Sequence, residues 1–295
     1  MVGTTSVSRK VFIVFNSLFL AFLTFIFLAP MLHVLFASIS DPIELNRHQG
    51  LFLWPRGQLN IEGYRRVFRN PNILNGYINT AFYVIVGTFL SVIFTAAAGY
   101  AFSRKRFLMR NKLMLLITFT MLFNGGLIPT YMVVRGVGLL DSRWAMILPS
   151  LISAYNLIIM RTFFASISDS LEESARIDGA NDFQVFFSIY MPLAKAGIAV
   201  MVLFYGVSNW NSWFPALIYL QSRDKMPLQM VLRDILIIND VNAISSSLDM
   251  AGDLERYRAL VRYCTIIVAT VPILFIYPLI QKHFVTGVMI GSIKE

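Results

Sequence analysis

Four carboxylates, Glu172, Glu173, Asp178 and Asp182, fall within the stretch SLEESARIDGANDFQVFFSIYMP (residues 170–192), set between two strongly apolar parts of the chain. Their local chemistry is that of a docking element. Ser170 with Glu173 three positions on fits a capping box, so a helix is expected from Leu171, and Gly179 is suited to close it in the left-handed conformation. Asn181 or Asp182 then caps a second helix, FQVFFSIY, which is expected to end as the chain approaches Pro192. Ala175 and Ala180 keep the surface low, and the carboxylates make it acidic. The result is a helix–glycine–helix elbow, low and acidic, in the shape of a docking element.

The other residues capable of chemistry are sparse. In NWNSW, Asn209, Asn211 and Trp213 place amides beside indoles, a pairing that suits sugars, whose hydroxyls seek hydrogen bonds while their C–H faces stack on rings; the same residues also serve helix packing. Cys264 is the sole cysteine, which rules out an internal disulfide, and it reads as packing. His33, His48 and His283 are scattered in sequence and are not expected to be ligands. No Gly-Lys pair occurs, so the phosphate-cradling loop of an ATPase is absent. The apolar runs hold no paired carboxylates and no serine–histidine–aspartate set. A membrane-embedded enzyme is therefore disfavoured.

These residues must be positioned by a membrane scaffold. The chain of 295 residues is 57% hydrophobic and only 14% charged, where a soluble domain carries about a quarter charged residues. Runs free of Asp, Glu, Lys and Arg cover Val11–Ser40, Asn72–Ser103, Leu113–Val134, Trp144–Met160, Ala196–Ser222 and Tyr263–Gln281. A bilayer needs roughly 20 helical residues, with about 17 tolerated. An all-α polytopic protein with six spans follows, placed at about 11–38, 73–102, 113–134, 144–162, 196–220 and 261–283 within one domain, 1–295. The first run is too long for the core of a secretory signal and reads as an uncleaved anchor. Gly125, Gly126 and Pro129 interrupt the third span, Pro215 lies in the fifth, and the small-xxx-small pair Thr95 and Gly99 favours close helix packing.

Net charge +9 reflects basic residues scattered over membrane loops, with no aromatic-interleaved basic face for nucleic acid. The loop RKRFLMRNK concentrates Arg104, Lys105, Arg106, Arg110 and Lys112 between spans two and three, which sets it on the cytoplasmic side. The N-terminus, the loop 164–195 carrying the elbow, and the C-terminus then share that side. Outer loops cover 41–71 and 223–262. The first is expected along the membrane surface; in the second, PLQMVLRDILII forms a surface helix and Ser245–Ser247 a flexible tip, a charge-balanced loop suited to an external binding protein.

Glu173-Ser174-Ala175, Gly179 and Ile189-Tyr190-Met191-Pro192 resemble, at every spacing, the signature loop of permease subunits of bacterial binding-protein-dependent ABC importers, E-A-A, three residues, G, nine residues, I-x-L-P. Ser174 and Met191 are the departures, both conservative. NGYINT, FNGGLIPTYMVVRGVGLLDS, NWNSWFPALIYL and LIQKHFVTGVMIGSIKE extend the likeness to the carbohydrate branch, in particular the second permease of maltose-type importers. Alginate is one substrate open to that branch, and no single residue establishes it.

The resemblance implies a type I ABC importer permease fold in the bacterial cytoplasmic membrane. It implies a homologous permease as heterodimer partner, two ATP-binding subunits that bind ATP and Mg, an extracytoplasmic solute-binding protein and a saccharide substrate. No cofactor is expected on this chain. Glu172, Glu173, Ser174, Ala175, Asp178, Gly179, Ala180 and Pro192 would form the coupling surface, with Glu173 paired to a basic residue of an ATP-binding subunit. Asn209, Asn211 and Trp213 would line the path, although the ordered sugar site of maltose-type importers lies mainly on the other permease. An ion-coupled sugar carrier is the alternative; the absence of ionisable residues from the runs argues against it.

Overall fold

The computed structural model describes residues 7–48, 50–237, 257–275 and 278, and among them every regular element is helical. Three helices are long and apolar enough to cross a bilayer singly: α1 (Val7–Ser38), α4 (Pro71–Ser103) and α14 (Tyr257–Phe275). Short α2 (Pro42–Arg47) and α3 (Glu62–Arg69) lie between the first two. The remaining spans are broken: α5 (Arg110–Leu122) meets α6 (Leu127–Gly136) at 115°, α7 (Trp144–Ser150) meets α8 (Ala154–Ala165) at 55°, and α10 (Asp182–Leu193) meets α11 (Lys195–Trp210) at 82°. With α9 (Asp169–Ile177), α12 (Trp213–Tyr219) and α13 (Leu228–Ile237), this gives up to six spans if each bent pair counts as one.

Two of these breaks can be traced to particular residues. At the 115° bend, Gly126 takes φ +87° and donates its amide to the Asn124 side chain. At the 55° bend, which the run 144–162 did not reveal, Pro149 lies in the last turn of α7 and cannot donate a helical hydrogen bond. Ser153 then caps α8, while its amide donates to the Tyr205 hydroxyl at 3.0 Å. Irregular backbone at membrane depth requires such internal partners. Pro215 causes no break, because it falls in the first turn of α12, where its missing N–H is not needed.

The chain divides into two compact units, residues 1–71 with 234–271, and 72–233 with 272–295. In the first, His33 accepts from the Phe52 amide at 2.9 Å and meets Tyr263 at 3.3 Å. Buried Cys264 donates to the Ser38 carbonyl at 3.2 Å and packs beside Gly63. His48 meets the Arg56 guanidinium at 3.1 Å. His33 and His48 thus have structural partners, and among the described residues no cluster of three or more His, Cys, Asp or Glu is placed to hold a metal. His283 and Ser245–Ser247 lie outside the described residues.

In the second unit α4 is the central rod, packed chiefly on α8 and α11. Gly99 permits a close approach to α8: an added Cβ would stand 3.2 Å from the Arg161 amide nitrogen and from Met160. One turn earlier, buried Thr95 meets the Tyr205 hydroxyl at 2.7 Å. The small-residue pair is therefore a helix contact, as its spacing suggests. Within PLQMVLRDILII, Leu228–Ile237 form a helix, α13, but Leu228 and Met230 are buried, so it packs into the protein instead of lying on its surface. Thr80 of α4 accepts from the Leu228 amide at 2.8 Å and holds that entry point.

Candidate functional site

The elbow forms as a helix–glycine–helix, with its ends shifted from the expected positions. Ser168, not Ser170, caps the first arm, accepting from the Ser170 amide, so α9 starts at Asp169. Because Glu173 then lies beyond the third helical position, it cannot complete a capping box, and it points to solvent. Gly179, at φ +84°, closes α9: its amide donates to Arg176 O at 3.0 Å and the Ala180 amide to Ala175 O at 2.9 Å, the two bonds of a Schellman stop. The second arm opens with a full capping box, Asn181 and Gln184 exchanging backbone and side-chain bonds. It runs past Pro192 to Leu193 through a π turn at Val185–Tyr190, one residue further than the proline suggests.

The acidic residues separate into two groups. Glu172 turns inward, its Oε1 accepting from Arg176 at 2.8 Å and its Oε2 facing Arg104 at 3.5 Å. Asp182 is bound by Arg176 and by Arg106 at 3.1 Å, and Asp169 by Lys105 at 2.9 Å and Arg104 at 3.2 Å. These contacts bind the two arms to each other and to the end of α4. The hydrogen bond from Lys105 holds the Asp169 carboxyl below its ordinary pKa, and that from Arg176 does the same for Asp182. Arg176 is pushed above its ordinary range by Asp182 first and Glu172 second.

Glu173, Ser174 and Asp178 are exposed, and among the described residues neither Glu173 nor Asp178 has an ion-pair partner. Beside them, Ile177 is 85% and Phe183 76% exposed. Pro192 is exposed as well. Ala175 and Ala180 are half-buried, packing on one side against the core that contains Phe186 and Tyr190. The outward face is thus small, acidic at Glu173 and Asp178, and apolar at Ile177 and Phe183.

A second feature is an open groove of about 770 Å³ along the α7–α8 break and α11. Its polar lining comes from Ser150, Ser153, Tyr155, Asn156, Ser208 and Asn209. Asn209 donates to Thr88 Oγ1 at 3.3 Å. Asn211 donates to the Val207 carbonyl of its own helix, and Trp213, at the start of α12, lies under the Arg233 guanidinium at 5.3 Å. Of the three path residues expected from sequence, Asn209 lines this groove; Asn211 and Trp213 stand at the break after α11.

Residues 93–290 match the family described as binding-protein-dependent transport system inner membrane component. The chain belongs to that family. This permease is 39% identical over 283 residues to the polygalacturonan/rhamnogalacturonan transport system permease protein YtcP of Bacillus subtilis (strain 168), covering 94% of this chain and 96% of the relative. It is 40% identical over 285 residues to the protein LplC of the same organism, covering 97% and 95%. Its fold matches a chain in the crystal structure of a bacterial ABC transporter involved in the import of the acidic polysaccharide alginate, with TM-score 0.86 and 32% identity over 96% of this chain and 99% of that one.

Two parts of the permease escape reading from sequence. One is Arg104, assigned there to membrane topology alone and here 7% exposed at the end of α4. The other is Asp141, a non-glycine residue at φ +54°. Its carboxylate accepts from the Gln221 amide at 3.0 Å, the Ser222 amide at 2.9 Å, the Ser222 hydroxyl, and Lys225 Nζ at 3.0 Å. Nearby, Asn79 donates to the carbonyls of Asp224 at 2.6 Å and Met226 at 3.1 Å, and accepts from Arg143 at 3.1 Å. The loop between α12 and α13 is thereby fastened to α4 at the end remote from Arg104.

The Ser222 hydroxyl, then the Ser222 and Gln221 amides, hold the Asp141 carboxyl far below the ordinary carboxylate range. A carboxylate so lowered contributes stability that is complete above its unfolded pKa, roughly 4, and is lost as pH falls through the folded value. Asp141→Ala is expected to cost about 1.5–3 kcal/mol, read as a lower unfolding temperature of the solubilised permease. The deficit against wild type should be the same at pH 7 and pH 5. A deficit that already shrinks over that interval contradicts the role given to the ionised carboxylate.

Proposed function

We propose that this permease is the transmembrane subunit of an ATP-driven importer, forming half of a translocation pore with a homologous second permease. Two separate ATP-binding subunits hydrolyse ATP with Mg and receive the elbow, and an extracytoplasmic binding protein delivers the sugar. The chain itself is non-catalytic. The observation that carries this reading is the division of acidic residues on the elbow, with Glu172, Asp169 and Asp182 engaged internally while Glu173 and Asp178 face outward beside bare Ile177 and Phe183. An acidic and apolar patch on a braced loop is suited to a basic-rimmed cleft in another protein. The elbow, the N-terminus and the C-terminus are on the cytoplasmic side in this reading, as the basic loop 104–112 indicates.

The substrate is an oligosaccharide or polysaccharide, with alginate among the candidates. Relatives are named for polygalacturonan/rhamnogalacturonan and for alginate, polymers that carry carboxylates. The groove beside α11 presents hydroxyls and amides and no acidic side chain, so an acidic sugar meets hydrogen-bonding groups without charge repulsion. The lining of this groove by Asn209 supports a role for it on the path; Asn211 and Trp213, at the break after α11, are further candidates. The permease, reconstituted in proteoliposomes with its second permease, ATP-binding subunit and binding protein, is expected to accumulate labelled oligouronides only with internal ATP and unaffected by an uncoupler. Uptake that survives without ATP and collapses with the uncoupler would replace this reading with an ion-coupled carrier.

A further inference from the structure

We infer that Arg104 is a positioning residue for energy coupling: the grip by which α4 holds the elbow, so that displacement of the elbow is carried into the membrane rod. This rests on the importer reading above. Arg104 follows the last helical residue of α4, with its side chain almost wholly out of solvent. From there Nη1 donates to Asp169 and Glu172 on the first arm and to the Tyr190 hydroxyl on the second, while Nη2 donates to the Phe164 carbonyl at the end of α8, 2.7 Å away. Nε donates to Ser103 at 2.9 Å, and the guanidinium plane stands 4.3 Å over the Tyr190 ring and 5.6 Å from that of Tyr100.

One side chain therefore joins α4, α8 and both arms. Its neighbours extend the grip, Lys105 to Asp169 and Arg106 to Asp182, so the tripeptide Arg104-Lys105-Arg106 engages the elbow on both sides of Gly179. A buried guanidinium separated from its carboxylates is strongly unfavourable. An elbow pushed by a bound subunit would have to leave that charge unpaired or take α4 with it, and the second course keeps the contacts of Arg104 with both arms. Val185, Phe186 and Tyr190 of the second arm also share an apolar core with Val92 and Ala96 of α4 and Met160 and Phe164 of α8; such packing is non-directional, whereas the guanidinium contacts fix the register of the elbow on α4. The planar fork is also why arginine stands here: a lysine ammonium cannot reach two carboxylates, a carbonyl and a phenol at once.

The test measures sugar imported per ATP hydrolysed, in reconstituted importer holding equal amounts of assembled complex. Arg104→Gln is expected to lower that ratio about tenfold or more, Arg104→Lys to fall between, and Tyr190→Phe, which deletes one acceptor and keeps the ring, to lower it about two- to threefold with full assembly. Arg104→Gln and Glu172→Gln should be non-additive, since each removes one side of the same contact. If the variants assemble less but import as much sugar per ATP as wild type, Arg104 is a folding residue only and the inference fails. Should Arg104→Gln not assemble, Tyr190→Phe decides, and a wild-type ratio in it overturns the inference. Absence of ATP-dependent uptake in the wild-type complex would instead refute the importer reading.

Discussion

Glu173→Arg is expected to abolish uptake, on the order of a 100-fold loss, while the permease still inserts and folds. Reversing one partner of a charge pair buried at an interface costs about 2–5 kcal/mol or more, whereas an exposed side chain without local partners affects folding by roughly 0.5 kcal/mol or less. Glu173 meets the second condition, being exposed on α9 with no ion pair reaching it among the described residues; the first is what the proposed docking requires of it. The control is its neighbour. Glu172 has only 13% of its side chain exposed and faces both Arg104 and Arg176, so Glu172→Arg should damage the fold itself and lower the yield of permease. Uptake, stimulated ATPase activity and membrane yield, measured on both variants, separate the two effects. Wild-type uptake in Glu173→Arg would refute the docking role.

The scaffold was legible because lipid imposes a coarse rule. A run free of charge and about 20 residues long has few other uses, and the runs beginning at Val11, Asn72 and Tyr263 overlap the three long helices α1, α4 and α14, although α1 starts four residues and α14 six residues before its run, at Val7 and Tyr257. The breaks were only partly legible. Gly125-Gly126 marks the sharpest, yet at the bend at 151–153 the Ser153 amide is accepted by the Tyr205 hydroxyl, more than fifty positions away. Composition along a run carries no information about such a partner.

The elbow was legible to the extent that its signals are local. The glycine stop and the Asn181 cap follow from residues within four positions of one another. What could not be read is direction. Glu172 and Glu173 are adjacent and chemically alike; Arg176, four positions on, pairs with Glu172 locally, but the contact with Arg104, sixty-eight positions away, that helps to bury Glu172 and not Glu173 exists only in space. The same distance hid Arg104, whose place in a basic loop between spans already had a sufficient explanation in membrane topology. A faint signal existed: Arg104 directly follows the apolar run, where a charge at the end of a packed helix needs either water or partners.

Gly179→Val should also stop transport, and for a different physical reason. The backbone at Gly179 lies at φ +84°, and an added Cβ would meet nothing within 4 Å. The substitution is therefore unfavourable through conformation alone, about 1–2 kcal/mol for an ordinary L-residue in the left-handed region and more for a β-branched one. Relaxing that strain changes the angle between the arms and pulls on the Ala180–Ala175 bond and the Arg176–Asp182 pair that span the turn. Uptake is expected to fall about tenfold or more, with assembled complex only modestly reduced. Gly179→Asn is the informative companion, since asparagine tolerates left-handed backbone and serves as a helix stop; uptake near wild type is expected of it. If Asn fails as badly as Val, backbone angle is not the cause, and the bare surface at Gly179 must instead be in contact with the subunit that receives the elbow.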